Sequence, residues 1–354
     1  MPAHLDPSIL PELFKATVDA GASDLHLTSD QQPLIRVTGG LRPLEGAEII
    51  SERTLLVDIH RILTTAQREA FDNKHSIDLS YQLPSGERFR INLYWKMRQP
   101  ALAARAIPAT IPTLDDLEAP EAALDFVELS QGLVLVTGPT GSGKSTLLAS
   151  MLEDINRHHV KHIVTLEDPV EFVYQSKRSL ISQRELGSDF MSFADGLKHV
   201  FRQDPDVILV GELRDQESIA TALTLAETGH LVFSTLHTNS ASETVERIVD
   251  TFPGIQQQQI RLQLSLVLKG VIAQLLVPTL DGRLTPAREV LVNTHAVANI
   301  IREGRTEQLR NTIYTSSGDK MVDLDQELEL LHQQGVISKE VAKIYAHTPD
   351  NVGT

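Results

Sequence analysis

Three glycines and a lysine crowd into Gly138-Pro139-Thr140-Gly141-Ser142-Gly143-Lys144-Ser145-Thr146, directly after the apolar run Gly132-Leu-Val-Leu-Val136. The spacing is G-x-x-x-x-G-K-[ST]. Gly138, Gly141 and Gly143 let the backbone turn tightly and aim several N–H groups inward, and a helix starting near Lys144 adds the positive end of its dipole. Such a cradle binds phosphate. Lys144 reaches the β- and γ-phosphates of a nucleotide, the Ser145 hydroxyl ligates magnesium, and Thr140, Ser142 and Thr146 complete the nucleotide-binding positions. The plain alternative is a glycine-rich turn with an exposed lysine, and the placement between a strand pattern and a helix pattern speaks against it.

Phosphoryl transfer to water also needs acids, for the metal and for the attacking water. One apolar run ends in Thr165-Leu-Glu167-Asp168-Pro169, and another, Asp206-Val-Ile-Leu-Val-Gly211, ends in Glu212. Carboxyl ends of parallel strands converge on a ligand crevice, so Glu167 and Glu212 are expected to face the phosphates. One would hold the magnesium through water and the other would orient or deprotonate the nucleophile; residue types alone leave the assignment open, and acids that merely cap loops are the other reading. A fourth run, Leu231-Val-Phe-Ser-Thr235, leads into Leu236-His237-Thr238-Asn239. His237 is either a loop residue or a sensor of the γ-phosphate.

The elements that must position these groups alternate. Strand 132–137, helix 144–156, strand 162–167, strand 206–211, helix 216–228 and strand 231–236 imply a parallel sheet covered by helices. From about residue 241 the chain reads as mostly helical, with one long helix over 255–276. Upstream, a helix is expected over 8–20, with Leu10, Leu13, Phe14 and Val18 on one face, followed by short extended segments at 25–27 and 34–37. Ile77, Leu79, Tyr81 and Leu83 alternate into the turn Pro84-Ser-Gly86, and Phe89, Ile91, Leu93 and Trp95 alternate out of it, which is a hairpin with one buried face. Arg88, Arg90 and Asn92 then project from the opposite face, ordinarily a solvated one. Segment 108–120, PATIPTLDDLEAP, holds three prolines and no sustained period, and reads as an interdomain linker.

A chain of 354 residues is long enough for two domains with sizeable cores. Its formal charge of −15, from 32 Lys and Arg against 47 Asp and Glu, argues against general attraction to nucleic acid or anionic membrane. It has no cysteine, which excludes disulfides, thiolate zinc sites and cysteine nucleophiles. The start MPAHLDPSIL lacks the features of a signal peptide, and no window approaches 18 uninterrupted apolar residues, so the cytoplasm is the default expectation.

Taken together, GASDLHL (21–27), RFRINLYW (88–95), LVTGPTGSGKST (135–146), VTLEDPVEF (164–172), DPDVILVGELRD (204–215) and AETGHLVFSTLHTNSA (226–241) resemble the secretion and pilus ATPases of the type II/type IV superfamily. Within it the chain is similar to the PilT-like type IV pilus retraction ATPases, almost end to end. The resemblance implies an α/β protein: a PAS-like α+β N-terminal domain (1–107), a linker (108–120) and a RecA-like P-loop ATPase domain with a helical C-terminal part (121–354). It further implies a homo-hexameric motor that holds ATP and Mg2+ between the two domains, with Arg90 and Arg105 reaching the phosphates, Glu212 near magnesium, Glu167 as base and His237 near the γ-phosphate. Arg202, Arg214 and Asp215 match the same signature, in ring contacts or in shaping the site. The expected partner is the inner-membrane platform protein of a pilus machine, not nucleic acid, and the chain would be peripheral to that membrane through its partner, at the cytoplasmic face.

Two features bear on the subtype. Retraction ATPases carry an AIRNLIRE-like helix, and here Ala296-Val-Ala-Asn-Ile-Ile-Arg302-Glu303 places Ala298 where the first arginine is expected. Assembly ATPases of the superfamily usually have a long extra N-terminal domain and a four-cysteine zinc site, and this chain carries neither. The alternatives to retraction are an assembly or secretion ATPase, a nucleotide-binding accessory subunit without hydrolysis, and a DNA-translocating motor, the last disfavoured by charge.

Overall fold

The computed structural model describes residues 8–37, 39–107 and 110–349. Pro108 and Ala109, at the start of the expected linker, and most of the segment MPAHLDPSIL lie outside the described residues. The chain divides into two compact units, Met1–Thr110 with Glu171–Val173, and Ile111–Val170 with Tyr174–Thr354.

The first unit runs α1 (Leu10–Asp19), β1 (Asp24–Thr28), β2 (Leu34–Val37), β3 (Gly40–Pro43), α2 (Glu52–Ile62), α3 (Thr65–Lys74), β4 (Ser76–Gln82), β5 (Arg88–Lys96) and β6 (Gln99–Ile107). The six strands form one sheet in the order β3-β2-β1-β6-β5-β4, and every recorded pairing is antiparallel. Its core gathers Leu10 and Phe14 of α1, Leu55 and Ile59 of α2 and Phe71 of α3 with Phe89, Ile91 and Leu93 of β5. The expected hairpin is β4–β5, with Phe89, Ile91 and Leu93 buried and Arg90 exposed between them. Sequence reading assigned nothing to α2, α3 or β6. The last is Gln-Pro-Ala-Leu-Ala-Ala-Arg-Ala-Ile, whose alanines are poor strand formers alone. They fit because Ala104 and Ala106 lie opposite the larger Ile91 and Phe89.

The second unit runs α4 (Glu121–Val127), β7 (Gly132–Thr137), α5 (Lys144–His158), β8 (His162–Glu167), β9 (Leu180–Glu185), α6 (Phe193–Val200), β10 (Val207–Val210), α7 (Gln216–Glu227), β11 (Leu231–Leu236), α8 (Ala241–Asp250), α9 (Gly254–Val267), β12 (Leu268–Pro278), β13 (Leu284–Val292), α10 (His295–Glu303), α11 (Leu309–Thr315), α12 (Leu324–Gln333) and α13 (Lys339–Tyr345). Seven strands form a sheet in the order β13-β12-β7-β11-β10-β8-β9. All neighbours are parallel except β12–β13. Apolar clusters cover both faces. One joins α6 to α11 with the sheet, and the other joins α4, α5 and Leu114 with Val134, Val136, Ile163 and Phe233. Strands buried on both faces read as unbroken apolar runs, which is why β7, β8, β10 and β11 were legible.

The same property explains the main correction. The expected helix over 255–276 ends at Val267, and Leu268–Pro278 is β12, so the helical region after 241 is interrupted by a strand pair, β12 and β13. Leu268-Lys-Gly-Val-Ile-Ala-Gln-Leu-Leu-Val-Pro278 is apolar with little periodicity, and such a run fits a buried helix or a buried strand equally well. Pairing decides it: β12 lies parallel to β7 on one side and antiparallel to β13 on the other.

Candidate functional site

The carboxyl ends of β7, β11, β10 and β8 lie side by side along one edge of the second sheet. From β7, buried throughout, the chain enters the glycine-rich loop and then α5, with Gly143 as N-cap at φ +85. The glycines at 138 and 143 are demanded by close approach as well as by φ. A Cβ on Gly138, at φ +139, would fall on the carbonyl oxygen of Gln274 in β12, and one on Gly143 would lie 2.8 Å from Gln274 Nε2. Gln274 Nε2 also donates to the Ser142 carbonyl at 2.6 Å, so β12 is the floor on which the loop rests.

Lys144, 8% exposed, donates from Nζ to the carbonyls of Gly138 and Pro139 at 2.8 and 2.9 Å. Its ammonium is thereby held at the loop, beside the first turn of α5, where a phosphate would sit. Ser142 Oγ is buried beside Gly138 with no hydrogen-bond partner. Ser145 and Thr146 are half-buried in the first turn of α5, and Thr140 is exposed at the loop tip.

Glu167 ends β8 and is 7% exposed. It accepts from Thr165 Oγ1 at 2.6 Å and from Gln183 Nε2 at 3.2 Å, two donors that orient its carboxylate. Glu212 follows β10. Its Oε2 accepts from Arg214 Nε at 2.8 Å, and its Oε1 lies 3.5 Å from His237 Nε2. The segments after β10 and β11 are therefore brought together at Glu212 and His237. Backbone ties hold them in place: Thr235 Oγ1 donates to the Gly211 carbonyl at 2.6 Å and Leu213 N to the Thr235 carbonyl at 3.1 Å. Behind His237, Thr238 Oγ1 and Thr244 Oγ1 lie 2.7 Å apart, and Thr244 Oγ1 donates to Thr137 Oγ1 at 3.5 Å, next to the start of the loop.

The neighbouring signature residues differ in use. Asp215 is the N-cap of α7, accepting from Ser218 N at 2.9 Å, whereas Arg202 is exposed. Ala298 is half-buried in α10, whose exposed face carries Asn299 and Arg302 joined at 3.1 Å.

In the first unit, Arg90 of β5 and Arg105 of β6 are direct cross-strand partners, both exposed. Two like charges opposite each other repel. Arg105 Nε is answered by Asp24 Oδ1 at 2.8 Å. Burial works to raise the Asp24 pKa, but hydrogen bonds from Ser23 and Arg105 outweigh it and hold the carboxyl below its usual range. This face, crowded with guanidinium groups, suits an anion.

Sequence reasoning missed Gln274 and Arg288, both nearly fully buried, in β12 and β13. The available signal was a polar residue in the middle of each apolar run, Val-Ile-Ala-Gln274-Leu-Leu and Ala-Arg288-Glu-Val-Leu. It also missed Thr165 and Gln183 as the partners of Glu167.

Comparisons with known proteins span nearly the whole chain. A family model described as type II/IV secretion system protein matches residues 8–336. The type IV pilus retraction ATPase PilT of Pseudomonas aeruginosa is 42% identical over 97% of this chain and 99% of its own length. PilU, a type IV pilus ATPase of the same organism, is 36% identical over 96% of this chain and 89% of its own. A crystal structure of the pilus retraction motor PilT with bound ADP superposes with a TM-score of 0.90 at 41% identity, covering 97% of this chain and 98% of that one. The ATPase DotB of Legionella pneumophila superposes with a TM-score of 0.85 at 30% identity, covering 97% and 96%.

Proposed function

The chain belongs to the type II/IV secretion system protein family, and from that premise we propose that it is a hexameric motor that hydrolyses ATP to drive type IV pilus retraction. The observation that carries the reading is one sheet edge holding a phosphate cradle with Lys144, an ion-paired Glu212 against His237, and a buried Glu167 oriented by two neutral donors. The relative with bound ADP and the PilT and PilU sequences support nucleotide as the ligand and the pilus as the setting.

In this reading the triphosphate enters the loop and Lys144 exchanges its two carbonyl acceptors for β- and γ-phosphate oxygens. The Ser145 hydroxyl and the Glu212 carboxylate are hard oxygen donors that would hold magnesium. The metal would neutralise charge developing on the transferred phosphoryl group. Glu167 orients the attacking water and takes its proton, and His237, beside Glu212, senses the γ-phosphate. Arg90 and Arg105 are drawn to the triphosphate charge and released after hydrolysis. A ring of six such subunits acts on an inner-membrane platform protein, at the cytoplasmic face. Among the described residues no helix is long and apolar enough to cross a membrane.

Phosphate release by the purified protein, beside Glu212→Ala, tests the chemistry: indistinguishable rates would end the motor reading. Pili that stay extended in a deletion strain support retraction, and loss of all pili points to assembly. The family description, type II/IV secretion system protein, favours secretion as the second reading. A strain that keeps its pilus dynamics but loses an exported protein would establish it.

A further inference from the structure

Residues 111–119 form a strap on the second unit. Ile111 and Leu114 are buried, Ser150 Oγ donates to the Pro112 carbonyl at 2.6 Å, and Leu117 N and Ala119 N close a turn onto the carbonyls of Thr113 and Leu114. Glu118 sits at φ +46, a left-handed conformation that a non-glycine residue adopts at a cost. The end of this strained turn presents two carbonyls to one side chain: Arg288 Nη1 donates to Glu118 O at 2.7 Å and Nη2 to Leu117 O at 2.8 Å.

Arg288 is 5% exposed, and burial pushes its pKa down. Its Nε donates to Gln274 Oε1 at 2.8 Å, and Gln274 Nε2 donates to the Ser142 carbonyl of the phosphate loop at 2.6 Å. Both donating groups are flat and held at both ends, so neither can shift without breaking a buried hydrogen bond. The guanidinium hydrogen-bonds to three uncharged acceptors and lies in the field of Glu327 and Glu118, and a buried charge so placed contributes little net stability compared with apolar packing of the same volume. What it supplies is position.

We propose that Gln274 and Arg288 are positioning residues that couple the strap to the phosphate-binding loop, so that nucleotide in the loop and the backbone at Leu117–Glu118 each set the geometry of the other. This rests on the nucleotide reading above. Coupling of this kind is reciprocal: whatever phosphate does to the strap, a change at the strap does to phosphate affinity. The strap lies directly in the chain connection that follows β6, so the relay gives the loop a mechanical link to the covalent path between the units.

The test uses the full-length protein, with magnesium and a fluorescent ADP analogue for affinity and amide hydrogen exchange across 111–119 with and without saturating ADP. In the wild type, ADP should slow exchange at Leu117, Glu118 and Ala119 by about fivefold or more. Gln274→Glu keeps its acceptor for Arg288 but cannot donate to Ser142 O. It should weaken ADP about tenfold and abolish the strap response at saturating ADP. Arg288→Lys cuts the other end of the relay and should abolish the same response, which keeps the question answerable if Gln274→Glu folds poorly. A wild-type strap indifferent to bound ADP, or a full response in either variant, overturns the relay while leaving the nucleotide site standing. A wild-type protein that fails to bind ADP overturns both.

Discussion

The two sheets of this protein solve opposite problems. The sheet of the second unit is parallel through six of its strands and covered on both faces, so its side chains are committed to packing and only the strand ends are free for chemistry. The sheet of the first unit is antiparallel and buries the β5 face that carries Phe89, Ile91 and Leu93, while the alternate positions with Arg90 stay open. Functional groups at strand ends arise from contiguous motifs, loop by loop. Groups on an open face arise from register, which places residues from different strands opposite one another.

The contrast can be broken most forcefully through packing. Phe233→Ala, in β11 with no exposure, should cost about 3–5 kcal/mol of folding free energy. Asn92→Ala, half-exposed on the opposite face of β5 with a hydrogen bond to Asp78 at 3.1 Å, should cost no more than about 1 kcal/mol, both read from denaturant unfolding. Equal costs would mean the two sheets are not covered differently. Next in size, Lys144→Ala or Glu212→Ala at the strand ends should lower the rate of phosphate release by about a hundredfold to a thousandfold, while the melting temperature stays near wild type. A loss of only a few-fold would move the chemistry elsewhere.

A smaller effect is expected on the open face: Arg90→Ala should reduce turnover about tenfold, with nucleotide affinity in the loop falling less. If affinity falls as much as turnover, Arg90 acts in binding alone. The smallest effect concerns Asp24. Its carboxyl is held below the usual range in the folded protein, so its contribution is fully present above the unfolded value near pH 4 and is lost as pH falls through the lower folded value. The stability gap between wild type and Asp24→Asn, roughly 1 kcal/mol, should therefore be constant from neutral pH to about 5 and close below 4. A gap that instead widens in acid would remove Arg105 and Ser23 as the cause.

Much of the site was legible before any fold was known. The run from Gly132 to Thr146 carries its own strand, turn and helix start, and Glu167, Glu212 and His237 each follow an apolar run directly. The N-terminal hairpin was legible because alternation of apolar and polar residues has one structural meaning. The strand β12 was not, since a mainly apolar run without clear periodicity has two.

Amino-acid order alone determined the glycine-rich loop, the acids that end the neighbouring strands and the β4–β5 hairpin, because each depends on interactions within a few residues: glycine φ angles, a helix start, strand alternation. Tertiary structure alone decided which distant residues meet. Arg90 faces Arg105 through the pairing of β5 with β6, and Gln274 reaches Ser142 across 132 positions because β12 was laid beside β7. Strand order and register follow from burying all the apolar faces at once, and that is a property of the whole chain which no short stretch contains.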